Sequence, residues 1–191
     1  MIKRLNTLCA RWRSETSGIA AVEFALLLPV MVVIFFGLLE ASNAMTVNRK
    51  VAISANTLAD LTAQSEFLYD DQIDDLFEGV MRIVEPNDPA GMQLSLVSVV
   101  LDADGDPIVH WSRDHLGNTP HTAGSDYTSL GDDTVLSEHG SLIVVELLYT
   151  YTPSLTSYFI STPIVFDRKS IRWPRLTSRV QLCDNDDNCT T

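Results

Sequence analysis

Positive charge is the first thing this sequence is short of. Its 13 Lys and Arg stand against 25 Asp and Glu, a formal net charge of −12, which argues against a general nucleic-acid binder, because such affinity rests on a basic surface. Cysteine is scarce too: there are three, Cys9, Cys183 and Cys189, and they form no CxxC pair. HExxH, GxSxG and Walker sequences are missing, and His110, His115, His121 and His139 lack the paired spacing of a zinc site. The many Asp and Glu fit a solvated acidic surface better than a catalytic carboxylate pair. The sequence is therefore read as non-enzymatic, with no catalytic residue, no metal and no cofactor.

What is there is unevenly distributed. A chain of 191 residues has the length for one domain with an appended segment. Residues 1–18 carry Lys3, Arg4, Arg11 and Arg13 against Glu15 alone, whereas the rest of the chain has nine basic and 24 acidic side chains. Between the two lies a run of 21 residues, Ile19 to Leu39, apolar except for Glu23. At about 1.5 Å per residue it makes roughly 31 Å of helix, the thickness of a bilayer's hydrocarbon. A secretory h-region is shorter, about 7 to 15 residues, and ends at a small-residue cleavage site. A signal anchor fits better, with its basic side in the cytoplasm and its acidic bulk exported. Such a protein is single-pass, with an exported C-terminal domain.

Glu23 needs a reason to stand in that run. A carboxylate in lipid costs a few kcal/mol on insertion scales. One explanation is that Glu23, five residues in, reaches back to the cytoplasmic headgroups. The other comes from its neighbours. A basic leader ending in Gly18, followed by Ile-Ala-Ala-Val-Glu-Phe, resembles the class III signal of type IV pilin-like proteins. The longer stretch "AAVEFALLLPVMVVIFFGLLEAS" resembles the N-terminal signature of the TadE-like proteins, minor pseudopilins of the tight-adherence (Flp) pilus system, at Ala20, Ala21, Val22, Glu23, Phe24, Ala25, Pro29, Gly37 and Glu40. Tyr149, Tyr151 and Pro153, and the later "RWPRLTSRV", look like the C-terminal half of the same family, although Trp173 separates Arg172 from Pro174 where an Arg-Pro-Arg element is common.

The resemblance implies a function and partners. Prepilin peptidase would cut between Gly18 and Ile19, and Glu23 would neutralise the new α-amino group of a neighbouring subunit in a low-dielectric helix bundle. Phe24 and Pro29 belong to the same assembly segment. Implied partners are the Flp-type pilin, other minor pseudopilins, the inner-membrane pilus assembly machinery and the membrane itself, and the subunit is either retained there or incorporated in the pilus. The alternative is an unprocessed, single-span, membrane-anchored periplasmic binding protein.

The expected fold class is α+β and pilin-like: a long N-terminal helix, transmembrane in its first half, then a short helix and a small, mainly antiparallel sheet. The expected divisions are a leader at 1–18, a transmembrane helix at 19–40, its continuation at 41–66 and an exported α+β domain at 67–191. In the continuation, Val47, Val51, Leu58 and Leu61 mark a buried face, and Asn48, Arg49, Lys50, Asn56 and Asp60 a wet one. A second helix runs from Asp71 to Val84, stopped by Pro86. "MQLSLVSVVLDADGDPIVHWS" reads as a hairpin turning at Asp104-Gly105. Its Asp102, Asp104 and Asp106 miss the calcium pattern, with Pro107 and Arg113 where Gly and a bidentate acid belong. Residues 115–140 form a polar excursion, for binding or simply mobile. "SLIVVELLYTYTP" is a central strand broken outward only by Glu146. Pro153 and Pro163 bracket a segment that packs Tyr158 and Phe159. One or two closing strands follow, with Pro174 at a bend or edge.

The cysteines divide by compartment. Cys9, in the leader, stays reduced. Cys183 and Cys189 lie in the exported part, where an oxidising periplasm and an even count favour a disulfide over two unpaired thiols. A cation held by Asp184, Asp186 and Asp187 is a further option that nothing else supports.

Overall fold

The structure, a computed structural model, describes residues 17–130, 136, 139–153, 162–184 and 188–190. Helix α1 spans Ser17–Ala63 and passes through Pro29 without ending. The proline has no N–H to give the carbonyl of Ala25, a defect membrane helices accommodate more readily than soluble ones. The helix stops three residues short of the expected Glu66, where the Gln64 and Ser65 N–H groups turn back onto the Leu61 and Thr62 carbonyls.

The two halves of α1 differ in what they bury. From Val47 onward Val51, Ala55, Leu58, Ala59 and Ala63 are buried. Leu61, expected on that face, is instead 41% exposed. The stripe holds Ala55, Ala59 and Ala63 in its place, small side chains that bring the helix axis close to its neighbours.

Strand β1, Phe67–Tyr69, leads into helix α2, Asp70–Met81, which buries Ile73, Phe77 and Val80. Its continuation at Arg82–Val84 tightens to a 3₁₀ turn just ahead of Pro86. Strands β2 (Met92–Leu101), β3 (Pro107–Asp114), β4 (Ser141–Tyr151) and β5 (Ile164–Arg172) follow, and β6 (Gln181–Cys183) closes the chain. The main sheet has the order β3-β2-β4-β5 with every neighbour antiparallel, so the continuous apolar run of β4 is interior, as its composition predicts. β1 and β6 form a separate parallel pair. The β2–β3 turn is held by Asp102, whose carboxylate accepts from the Asp104 and Asp106 N–H groups at 2.9 and 2.8 Å.

Each face of the sheet has its own core. Leu94, Leu96, Ile143, Val145, Leu147 and Tyr149 pack with α1 and α2, and Trp111 of β3 donates its indole N–H to the Val180 carbonyl at 2.9 Å. On the opposite face Val97, Val99, Val109, Leu142 and Val144 are covered by Tyr127, Leu130 and Leu136. These last three come from the 115–140 excursion, which is otherwise largely exposed over its described residues, so a surface segment is pinned to the sheet at three points. The segment with Tyr158 and Phe159, and Cys9, Asp186 and Asp187, lie outside the described residues.

Candidate functional site

The first half of α1 is the most unusual surface of the molecule. Every large apolar side chain from Ile19 to Leu39 is at least 40% exposed. Gly18, Glu23, Phe24 and Pro29 lie on the same exposed stretch. Leaving that much apolar surface in water is unfavourable by about 25 cal/mol per Å², so it suits lipid or the helices of other subunits. By length and composition this helix is a candidate membrane span.

The span continues without a break into the helix that packs on the domain. Glu40, one residue past Leu39, is only 6% exposed, and it accepts a hydrogen bond from the Tyr151 hydroxyl at the end of β4. Burial, then the bond to Glu40 and its charge, push the Tyr151 hydroxyl up to about 12. Further along, Arg168 donates to the Asn48 amide oxygen at 2.6 Å, and Ser170 and Arg172 donate to that of Asn56 at 2.8 and 3.2 Å. Arg175 pairs with Asp60 and gives its backbone N–H to the Ala63 carbonyl at 2.8 Å. Asn48, Asn56 and Asp60 do lie on a solvent-reached face, Asn56 exposed and the other two half-buried, and they are also clamped there by β5 and the segment after it. Amides and acids on a helix read as solvent-facing until their partners, more than 110 residues away, are in place.

A second polar cluster sits on the opposite face of the sheet. Glu146 accepts from the Tyr127 hydroxyl at 2.6 Å, meets His121 Nε2 at 3.0 Å and lies 3.3 Å from Lys169 Nζ. Burial pushes the Glu146 carboxyl up, but the hydrogen bonds from Tyr127 and His121, with the charges of His121 and Lys169, outweigh it and hold it below its ordinary value. Tyr127 moves the other way, raised by burial and by its bond to the Glu146 carboxylate. The cluster ties the 115–130 segment to β4 and β5. Glu146 was legible as the outward break in β4, but no spacing pointed to His121 or Tyr127. At the far end, Cys183 and Cys189 are joined by a disulfide, and the Asp184 carboxylate inside that loop accepts the Asn188 N–H at 2.9 Å.

Residues 18–60 match the family described as TadE-like protein. Over this stretch the chain is similar to the TadE-like proteins. The TadE-like stretch runs from Gly18 through the whole exposed span, across the Glu40 junction and along the clamped part of α1 to Asp60. It supports a role in the tight-adherence pilus system, in association with components of that system. No curated protein and no solved structure matches the chain.

Proposed function

We propose that this protein is a minor pseudopilin that takes part in assembling a tight-adherence (Flp) pilus. Prepilin peptidase cleaves it between Gly18 and Ile19, the exposed half of α1 packs among the helices of neighbouring subunits, and Glu23 neutralises the α-amino group of one of them. The observation that carries this reading is the TadE-like helix itself: apolar and bare from Ile19 to Leu39, then clamped to its own domain from Glu40 to Ala63. A subunit meant to pass from membrane to filament needs one surface that suits both. The domain would lie in the periplasm until that transfer.

Intact mass and N-terminal sequence of the membrane-extracted protein test the pathway, with a strain lacking prepilin peptidase as control. A chain starting at Ile19 only when the peptidase is present is the expected result. A chain that keeps Met1 to Gly18 in both strains would instead favour the anchored binding protein, for which a cleft of about 670 Å³ between α1 and Pro86–Gly91, lined by Lys50, Asp88 and Tyr149, offers a place. Glu23→Ala should leave cleavage intact and impair piliation. Normal piliation in that variant would remove the registration role.

A further inference from the structure

The few cations of this chain are segregated, and that points to how copies meet. Of the nine basic residues after Gly18, five fall between Arg168 and Arg179. Arg82 and Arg113 are held by carboxylates of α2, Glu78 and Asp70. Along the flank where α1 meets β5, by contrast, Arg168 and Arg172 donate to neutral oxygens, those of Asn48 and Asn56 and of nearby backbone carbonyls. Arg49, which follows Asn48 on α1, is exposed, and among the described residues none of the three has a carboxylate partner. Among the described residues β5 is also an edge strand, paired in the sheet with β4 alone.

Helix α2 is the complement. It exposes Asp71, Asp74 and Asp75 without a cation partner among the described residues. The two surfaces lie on opposite sides of α1: Ser54 reaches the Val80 carbonyl and Lys50 that of Glu85 on the α2 side, whereas Asn48 and Asn56 reach β5. At about 100° of turn per residue these pairs of positions face roughly opposite ways. They are also offset along the axis. The Ser54–Val80 contact puts Asp74 near the level of residue 60, while Arg168 and Arg172 stand at the levels of Asn48 and Asn56, a rise of about 6 to 18 Å at 1.5 Å per residue.

We propose that the protein stacks on second copies of itself head to tail, the Arg49–Arg168–Arg172 flank of one copy seating the α2 carboxylates of the next. This rests on reading the chain as an assembly subunit. Beyond the apolar span the chain is strongly acidic, with nine basic and 24 acidic side chains after Gly18, so charge favours a contact made through the basic flank. Because the two surfaces differ and are displaced along the helix, the contact is heterologous and open-ended, the arrangement that builds filaments, not closed dimers. Simple protection of an open strand edge would need charge but not its sign. The stacking needs the positive sign.

The test uses the full chain in its native membrane, in a Cys9→Ser background, carrying Ile53→Cys beside the basic flank and Gly79→Cys one turn past Asp75, linked by a short bismaleimide that leaves Cys183–Cys189 intact. A ladder of dimers, trimers and higher species is expected from the double-cysteine chain, and no dimer from either single cysteine. Arg168→Glu with Arg172→Glu, or Asp71→Arg with Asp74→Arg and Asp75→Arg, should each weaken the ladder about tenfold. Combining all five reversals should restore it, which separates lost contact from lost folding. About 1 M salt, with a Debye length near 3 Å, should suppress it. Dimers from a single cysteine, a ladder indifferent to the reversals, or links only to other membrane proteins would overturn the proposal. The N-terminal mass of the same sample reports separately whether the pilin pathway holds.

Discussion

Tyr127→Phe removes one oxygen and keeps the ring, so it isolates the bond that fastens the excursion to the sheet. The ring is buried and stands edge-on to His121, 5.5 Å between centroids, and Phe fills that space. What is lost is the 2.6 Å bond to Glu146. A hydrogen bond to a charged group contributes about 1.5 to 3 kcal/mol. Here the Glu146 side chain is 27% exposed and keeps His121 and Lys169, so water and those partners recover part, leaving about 1 to 2 kcal/mol. For a chain of this size that is a fall of about 2 to 8 °C in Tm. The assay is urea and thermal unfolding of the full chain in detergent micelles, followed by the fluorescence of buried Trp111. The sign of the pH dependence follows from both groups. Glu146 is depressed in the fold, so its contribution is present above the ordinary carboxylate pKa of about 4.3 and lost as pH falls through its lower folded value. Tyr127 is raised, so its contribution is intact below about 10 and fades only at higher pH. The gap between wild type and variant should therefore be flat from about pH 5 to 9 and close under acid. A gap under about 0.3 kcal/mol at neutral pH, or one that persists unchanged to about pH 3, would refute the role given to this bond.

Three further substitutions address other joints. Gly91→Ala would place its Cβ 2.7 Å from the Thr150 carbonyl oxygen, and since backbone must yield, about 1 to 3 kcal/mol of stability should be lost in the same urea titration. Cys183→Ser with Cys189→Ser opens a loop with a sequence separation of 6, for which chain entropy gives about 2 kcal/mol; equal midpoints for oxidised wild type and the double serine chain would contradict it. Tyr151→Phe leaves the buried Glu40 without that donor, so hydrogen exchange of the α1 amides around residues 40–47 should speed up about tenfold or more, while those of β2 stay unchanged.

Legibility followed the physics of each element. The long apolar run and the doubly apolar β4 announced themselves, because a bilayer-length helix and an interior strand leave unmistakable composition. The turn at Asp104-Gly105 was legible from its residue types alone. Leu61 misled because periodicity fixes a face but not its width, and the alanines won the contact. The 115–140 excursion was legible as surface, but its anchors were not: Tyr127, Leu130 and Leu136 are too far apart to show a period, yet they pack on Val97, Val99, Val109, Leu142 and Val144. The junction acid Glu40 was visible as the end of the span. That it would be buried under Tyr151 was not, since the two are 111 positions apart. Gly18, Ile19, Glu23, Phe24 and Pro29 were singled out by local pattern alone, whereas the clamps that hold the same helix to its domain depend on Asn48, Asn56 and Asp60, residue types that ordinarily face water.

Those clamps matter when the helix is pulled. α1 runs from the candidate span into the domain and β4 runs back toward that span, so Tyr151, Arg168, Ser170, Arg172 and Arg175 grip the helix at successive levels from Glu40 to Ala63. A force drawn along the helix axis loads all of these bonds side by side, in shear, and they must yield together; a force across the axis would peel them one at a time. A machine that draws this protein lengthwise by its membrane end thus pulls along the direction in which helix and sheet behave as one piece.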